Sequence, residues 1–183
     1  MINNLMIDIE TTGTEPGCKV LSLGAFGFSK TGEQVDFYRR FNHSKQGEVG
    51  LIDDEKTVEW WSNPDRAAAR AEAFGGKTNP AEGIGEFKQW FYTHFNTGKH
   101  NKFRVWCCGL DFDFPILKEF FHRFGFGFPW PYYMQCDYRT LKNLAPVIKA
   151  SEGNVAKHTA LEDAKAQLRG LRAFYELAGK IVQ

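Results

Sequence analysis

The chain has 183 residues, enough for one ordinary domain that buries well over half of its unfolded surface. With 43% hydrophobic and 25% charged residues and a mean hydropathy of −0.42, it is not a disordered tail, a collagen-like repeat or a membrane-embedded bundle. Its 23 Lys and Arg balance 22 Asp and Glu, which excludes a global positive field, so any affinity for nucleic acid has to be local.

The predicted elements begin with a short strand over Leu5 to Glu10 and a longer, mostly apolar one over Lys19 to Ser29. Lys30-Thr31-Gly32-Glu33 supplies turn chemistry, and Val35, Phe37, Tyr38 and Phe41 fit a third strand paired back on the second. Asn42 to Gly50 reads as a polar loop, Thr57 to Trp61 as a short helix halted by Asn63-Pro64, and Asp65 to Phe74 as a helix. From Pro80, Ile84, Phe87, Phe91 and Phe95 recur at helical spacing, which predicts a crossover helix.

Phe103 to Cys108 is a fourth strand, followed by a helix with Ile116, Leu117, Phe120, Phe121 and Phe124 on one side. Tyr132 to Cys136 fits a fifth strand, Asp137 caps a helix to about Ile148, and Ser151 to Lys157 is a loop before a last helix packed through Leu161, Ala164, Leu168, Leu171 and Tyr175. Three antiparallel strands and then alternating helices and strands predict an α/β fold. Its mixed five-stranded sheet is flanked by helices and resembles ribonuclease H, in a single domain over residues 1–183.

The cysteines, Cys18, Cys107, Cys108 and Cys136, have neither CxxC spacing nor a paired framework and read as reduced, packed thiols. The N-terminus has no basic stretch leading into a long apolar segment, and no window approaches the roughly 18 apolar residues of a membrane span, so a cytoplasmic protein is expected. The 17 phenylalanines suit a compact core, with base-stacking surfaces as the alternative use.

Three acidic segments stand out. Asp8 and Glu10 interrupt an apolar strand at i and i+2, so both side chains leave one face, where two adjacent anions repel unless a divalent cation compensates them or a strand end gives them water. Thr11-Thr12-Gly13 follows, a turn of small residues with room and backbone donors for a ligand. Gly109-Leu110-Asp111-Phe112-Asp113-Phe114-Pro115 lies between strand and helix, where Asp113 has either a cap's role or a ligand's and Asp111 suits a turn.

In His158-Thr159-Ala160-Leu161-Glu162-Asp163, Thr159 and Glu162 have capping-box spacing. His158 then sits on a movable approach just outside a helix and Asp163 one turn inside it. A titrating base beside a fixed carboxylate suits activation of a water, while a surface His ahead of an acidic first turn is the plainer alternative.

These segments together resemble the three motifs of the DEDDh, or DnaQ-like, 3′-5′ exonuclease family. Motif one is Asp8-Ile9-Glu10-Thr11-Thr12-Gly13, motif two Phe112-Asp113 with Leu117 following, and motif three His158 to Ala164. Thr57-Val58-Glu59-Trp60-Trp61 and Asp137-Tyr138-Arg139-Thr140-Leu141 are similar to the DexA-like phage and prophage branch.

The resemblance implies that Asp8, Glu10, Asp113 and Asp163 bind two divalent ions, Mg²⁺ or Mn²⁺, and that His158 is the general base. Asp113 fits the second motif because it directly follows an aromatic residue and precedes a helix; Asp111 does not. Thr11, Thr12, Gly13, Trp60 and Trp61 are the expected substrate-binding residues, with stacking on a base and anchoring of the helix to the core as the two alternatives for the tryptophan pair. The implied reaction releases nucleoside 5′-monophosphates from the 3′ end of single-stranded DNA, with an exoribonuclease of the same family, an inactive end-binding module and a structural metal-binding protein as the alternatives. Lys99, Lys102, Arg104, Arg123 and Arg139 are candidate helpers for the nucleic acid backbone.

Overall fold

The computed structural model describes residues 2–29, 32–95, 103–153 and 158–181. Its centre is a five-stranded sheet in the order β3-β2-β1-β4-β5: β1 (Asn4–Thr11), β2 (Val20–Phe28), β3 (Gln34–Arg40), β4 (Arg104–Cys107) and β5 (Gln135–Asp137). The first three strands form an antiparallel meander, whereas β4 runs parallel to β1 and β5 parallel to β4, as expected of a mixed sheet.

β1 is covered on both faces, and its alternation sorts its side chains. Leu5, Ile7 and Ile9 join a cluster with Ile84, Phe87 and Phe91 of α3 (Pro80–His94) and Ile116, Leu117, Phe120 and Phe121 of α4 (Asp113–Arg123). Met6, on the opposite face, packs with Tyr138 of α5 (Tyr138–Leu144), Ile148 of α6 (Pro146–Ala150) and Ala164, Leu168 and Leu171 of α7 (Ala160–Ile181). Asp8 and Glu10 share the parity of Met6, so β1 aims them at the α7 side.

A third cluster, Leu21, Trp61 and Ala73, holds α1 (Glu55–Trp61) and α2 (Ala67–Phe74) against β2. Ten of the 17 phenylalanines are buried and the other seven are partly buried, packed against one of these clusters, so their role is core. All four cysteines are free thiols. No helix among the described residues is long and apolar enough to cross a membrane.

Several boundaries differ from expectation. Tyr132–Met134 is a 3-10 turn, and β5 starts only at Gln135, where pairing with Val105 begins. The helix capped by Asp137 stops at Leu144, because Pro146 pushes Ala145 into the extended region and opens a second helix. His43–Val49, expected as loop, is a 3-10 helix capped by the Asn42 side chain, and its buried Gln46 bonds both the N–H and the carbonyl of Val20. The α1 helix starts earlier than expected, at Glu55, because Asp54 caps it by accepting from the Thr57 N–H. Lys30, Thr31, Lys99, Lys102 and residues 154–157 lie outside the described residues.

Candidate active site

The carboxyl ends of the parallel strands β1 and β4 meet the start of α7, and a cleft of about 790 Å³ opens there. Asp8, Glu10, His158 and Asp163 line it, with Thr11, Gly13, Trp60, Trp61, Phe112 and Gln167. One possible ligand atom each from Glu10, His158 and Asp163 lies within 4.8 Å of the other two.

Asp113 reaches the same group from α4. Pairing of β1 with β4 ends at Met6 and Trp106, and beyond it the turn into α4 brings Asp113 against that edge of β1. Asp113 is 3% exposed whereas Asp111 lies exposed in the turn, so burial separates two acids that sequence leaves as neighbours.

The electrostatics report the crowding. Burial, then the charges of Asp113, Glu10 and Asp163, push the Asp8 carboxyl well above the ordinary carboxylate range, against a hydrogen bond from Gln167. Burial, then Asp163 and Asp113, push Glu10 up to about 8. Burial raises Asp113 to about 7, although its own N–H, the Cys107 thiol, the Ile9 N–H and the Arg139 charge pull the other way. Such a group is short of positive charge.

α7 supplies more than the motif suggests. Gln167, one turn after Asp163, is 9% exposed and donates through Nε2 to Asp8 Oδ1 at 2.8 Å. Sequence reading missed it; its signal is the i+4 spacing from Asp163, which puts both on one helix face. The expected capping box is replaced: Glu162 pairs with Lys165 at 2.8 Å, and Asp163 Oδ2 accepts from the His158 N–H at 2.8 Å. That bond ties His158 to the acid beside it, and His158 has a left-handed φ of 69°, uncommon for a side-chain-bearing residue.

The two tryptophans divide. Trp61 is 1% exposed, and its indole N–H donates to the Thr11 carbonyl at 2.9 Å, locking α1 to the end of β1. Trp60 is 39% exposed and meets the His158 ring edge-on, with centroids 4.9 Å apart. Of the expected substrate-binding turn, Thr11 and Gly13 line the cleft, but the Thr11 hydroxyl is turned onto the Gly13 carbonyl. Thr12 is fully buried, with its hydroxyl 3.4 Å from the Ile52 carbonyl and no place in the lining; the register shift between Glu10 and Thr11 breaks the alternation that would have set it on the face of Asp8 and Glu10.

Among the expected helpers, Arg139 lies at the site, acting on Asp113 and bonding the Cys108 carbonyl at 2.7 Å. Arg123 is engaged elsewhere, with Glu119 and the Val49 carbonyl. Arg104 is exposed near Tyr175, outside the cleft lining. Lys56, not singled out by sequence, does line the cleft.

Comparison with known proteins identifies the fold and the family. An Enterobacteria phage T4 exodeoxyribonuclease is 28% identical over 126 residues, covering 63% of this chain and 54% of the phage protein. E. coli Exonuclease I solved with a dA16 oligonucleotide superposes with a TM-score of 0.62 at 13% identity, over 94% of this chain and 41% of that one. The same enzyme with dT13 gives 0.62 at 15% identity, over 97% and 43%. The chain thus spans about half the length of the phage relative and about two-fifths of the Exonuclease I chains, whose likeness establishes the DnaQ-like, ribonuclease H-type fold. A family model described as the 3′-5′ exoribonuclease Rv2179c-like domain matches residues 3–175, nearly the whole chain, and the protein belongs to that family of DnaQ-like 3′-5′ exonucleases.

Proposed function

We propose that this chain is a divalent-cation-dependent 3′-5′ exonuclease that removes nucleoside 5′-monophosphates from a single strand. The observation that carries the reading is the convergence of Asp8, Glu10 and Asp163 on one cleft beside His158, with Asp113 buried outside the lining yet near enough for its charge to act on Asp8 and Glu10, and with three of the four carboxyls held above their ordinary range. The family match over 3–175 supports treating the chain as one exonuclease domain.

The donor set fits hard cations. Partly or fully buried carboxylates gathered with one amide and one nearby guanidinium are short of positive charge, and oxygen ligands suit Mg²⁺ or Mn²⁺. Asp8, Glu10, Asp113 and Asp163 would hold two such ions, which when bound neutralise the scissile phosphate, lower the pKa of the attacking water and stabilise the leaving 3′ oxygen.

The protein's own groups do the rest. His158 accepts the water's proton as the water oxygen bonds phosphorus, the bond from phosphorus to the 3′ oxygen breaks, and that oxygen takes a proton from solvent water to become the new 3′ hydroxyl. The Asp163 carboxylate holds the His158 backbone, Trp60 and Trp61 wall the ring, and Gln167 orients Asp8.

Single-stranded DNA is the first substrate, supported by the name of the phage relative and the oligonucleotides bound to Exonuclease I. The family description supports RNA as a second reading. Strands of each sugar labelled at the 5′ end distinguish them: stepwise shortening that EDTA stops and that Asp8→Ala or His158→Ala abolishes is the expected result. Shortening of RNA alone would move the assignment to an exoribonuclease. End binding with no nucleotide release from either strand would leave a binding module instead.

A further inference from the structure

Lys56 in the cleft lining and Arg66 beyond it are not used by the chemistry above. A second hollow of about 600 Å³ lies on the outer side of α1 and shares Lys56 and Trp60 with the catalytic cleft. Arg66, from the 3-10 turn Pro64–Arg66, forms its far wall. The guanidinium carbon of Arg66 lies 3.9 Å from the centre of the Trp60 ring, and Nη1 donates to the Trp60 carbonyl at 3.2 Å.

This is a preorganised cation. Stacking and one hydrogen bond fix the guanidinium plane and leave most of its five N–H donors for an outside acceptor. Lys56 is exposed on the same rim, and among the described residues neither side chain forms an ion pair with a carboxylate. One face of Trp60 is already covered by Arg66, so Trp60 serves as the wall carrying the cation; that face is not open for a base to stack on.

We infer that Lys56 and Arg66 form a phosphate-binding subsite for the part of the strand leading away from the cleaved end, which leaves the cleft over α1. The argument rests on the exonuclease reading for the identity of the strand and on geometry for the route. Asp8, Glu10 and Asp163 line the cleft, where the cleaved end would lie, and the hollow adjoins that cleft through Lys56 and Trp60 and is open to solvent. A single strand carries one phosphate per nucleotide, and the hollow offers its phosphates two cations, Arg66 held in place and Lys56 free to swing toward them. Glu59, in the same hollow, opposes that binding.

The test is equilibrium binding of a five-nucleotide DNA with a 5′ fluorophore and a 3′ phosphorothioate that resists cleavage, compared with thymidine 5′-monophosphate, in Mg²⁺ across a salt series. Arg66→Gln and Lys56→Gln should each weaken binding of the five-nucleotide strand about tenfold. Each should lower the slope of log affinity against log salt by about 0.7, and the strand's advantage over the mononucleotide should shrink. Glu59→Gln, which removes a charge at the exposed surface, should tighten the strand severalfold. Unchanged slopes in both cation variants, or no tightening in Glu59→Gln, would overturn the subsite. Strand binding with these slopes but no nucleotide release from an unmodified strand would overturn the exonuclease reading and leave the subsite standing.

Discussion

Gly24 stands directly across the β1–β2 ladder from Asp8, and the first turn of α7 rests where a side chain on residue 24 would begin. A Cβ there would lie 2.3 Å from both the Ala160 carbonyl carbon and the Leu161 nitrogen. The bare backbone of β2 thus lets the helix bearing Asp163 and Gln167 settle beside the strand bearing Asp8 and Glu10.

Gly24→Ala should therefore act on the site as well as on the fold. Backbone cannot swing aside as a side chain can, so α7 has to move outward by about 1 Å, a displacement that costs on the order of a hundredfold in rate when it separates reacting groups. Overpacking should add about 1–3 kcal/mol of destabilisation. Steady-state kinetics beside thermal melting check both; full activity in the variant would show that α7 has slack at this contact.

The acid cluster makes the metal-free protein sensitive to pH. Glu10 titrates at about 8 and Asp113 at about 7 in the folded chain, each above its unfolded value near 4. Between those limits the folded state holds more protons than the unfolded one, so the contribution is fully present below about pH 4 and is lost as pH rises through 7 and 8. The melting temperature in EDTA should fall across that window, and the gain on adding Mg²⁺ should widen across it. Asp113→Asn should flatten the EDTA profile. A melting temperature in EDTA that holds level from pH 5 to 8 would contradict the crowding.

Gln167→Ala removes the one side-chain hydrogen bond that lowers the Asp8 carboxyl. Partners that orient a ligating group contribute about 10–100-fold in metal affinity, so the Mg²⁺ concentration giving half-maximal activity should rise by that factor. Titration of activity against Mg²⁺ at fixed pH reads it, and Gln167→Asn, with its amide held too short, should not restore the affinity.

Trp60 and Trp61 should separate by measurement as they do by burial. Trp61→Ala empties a core site and leaves the Thr11 carbonyl unpartnered, for a loss of about 3–5 kcal/mol in chemical denaturation. Trp60→Ala should change stability by less than about 1 kcal/mol. It should lower kcat, because His158 loses the Trp60 ring that walls it, and weaken strand binding, because Arg66 loses its platform.

Much of this was visible in the order of residues. The alternation of Leu5, Ile7 and Ile9 with Met6, Asp8 and Glu10 predicted which face of β1 is acidic, and the phenylalanine stripe of α3 predicted a crossover helix. Element ends were less visible, since Pro146 and the capping by Asn42 and Asp54 act through local geometry that a periodicity count passes over. The i+4 spacing of Gln167 from Asp163 is too weak a signal by itself, because an amide on a polar helix stripe is indistinguishable from a solvated one until the stripe is laid on a strand. Gly24 inside an apolar strand weakens a strand reading, and only the helix lying on it shows what it is for.

Pattern along the chain determined the α/β fold class, the family resemblance and the short list of acids, because strand parity, helical spacing and motif order are local properties that need no partner. The motif frame already preferred Asp113 to Asp111, and burial agrees with it; tertiary structure alone decided that Thr12 turns inward, and that Trp61 is core while Trp60 stands at the rim. Each of those choices depends on which surfaces come together across the sheet, and burial and electrostatic crowding exist only once distant segments share one volume.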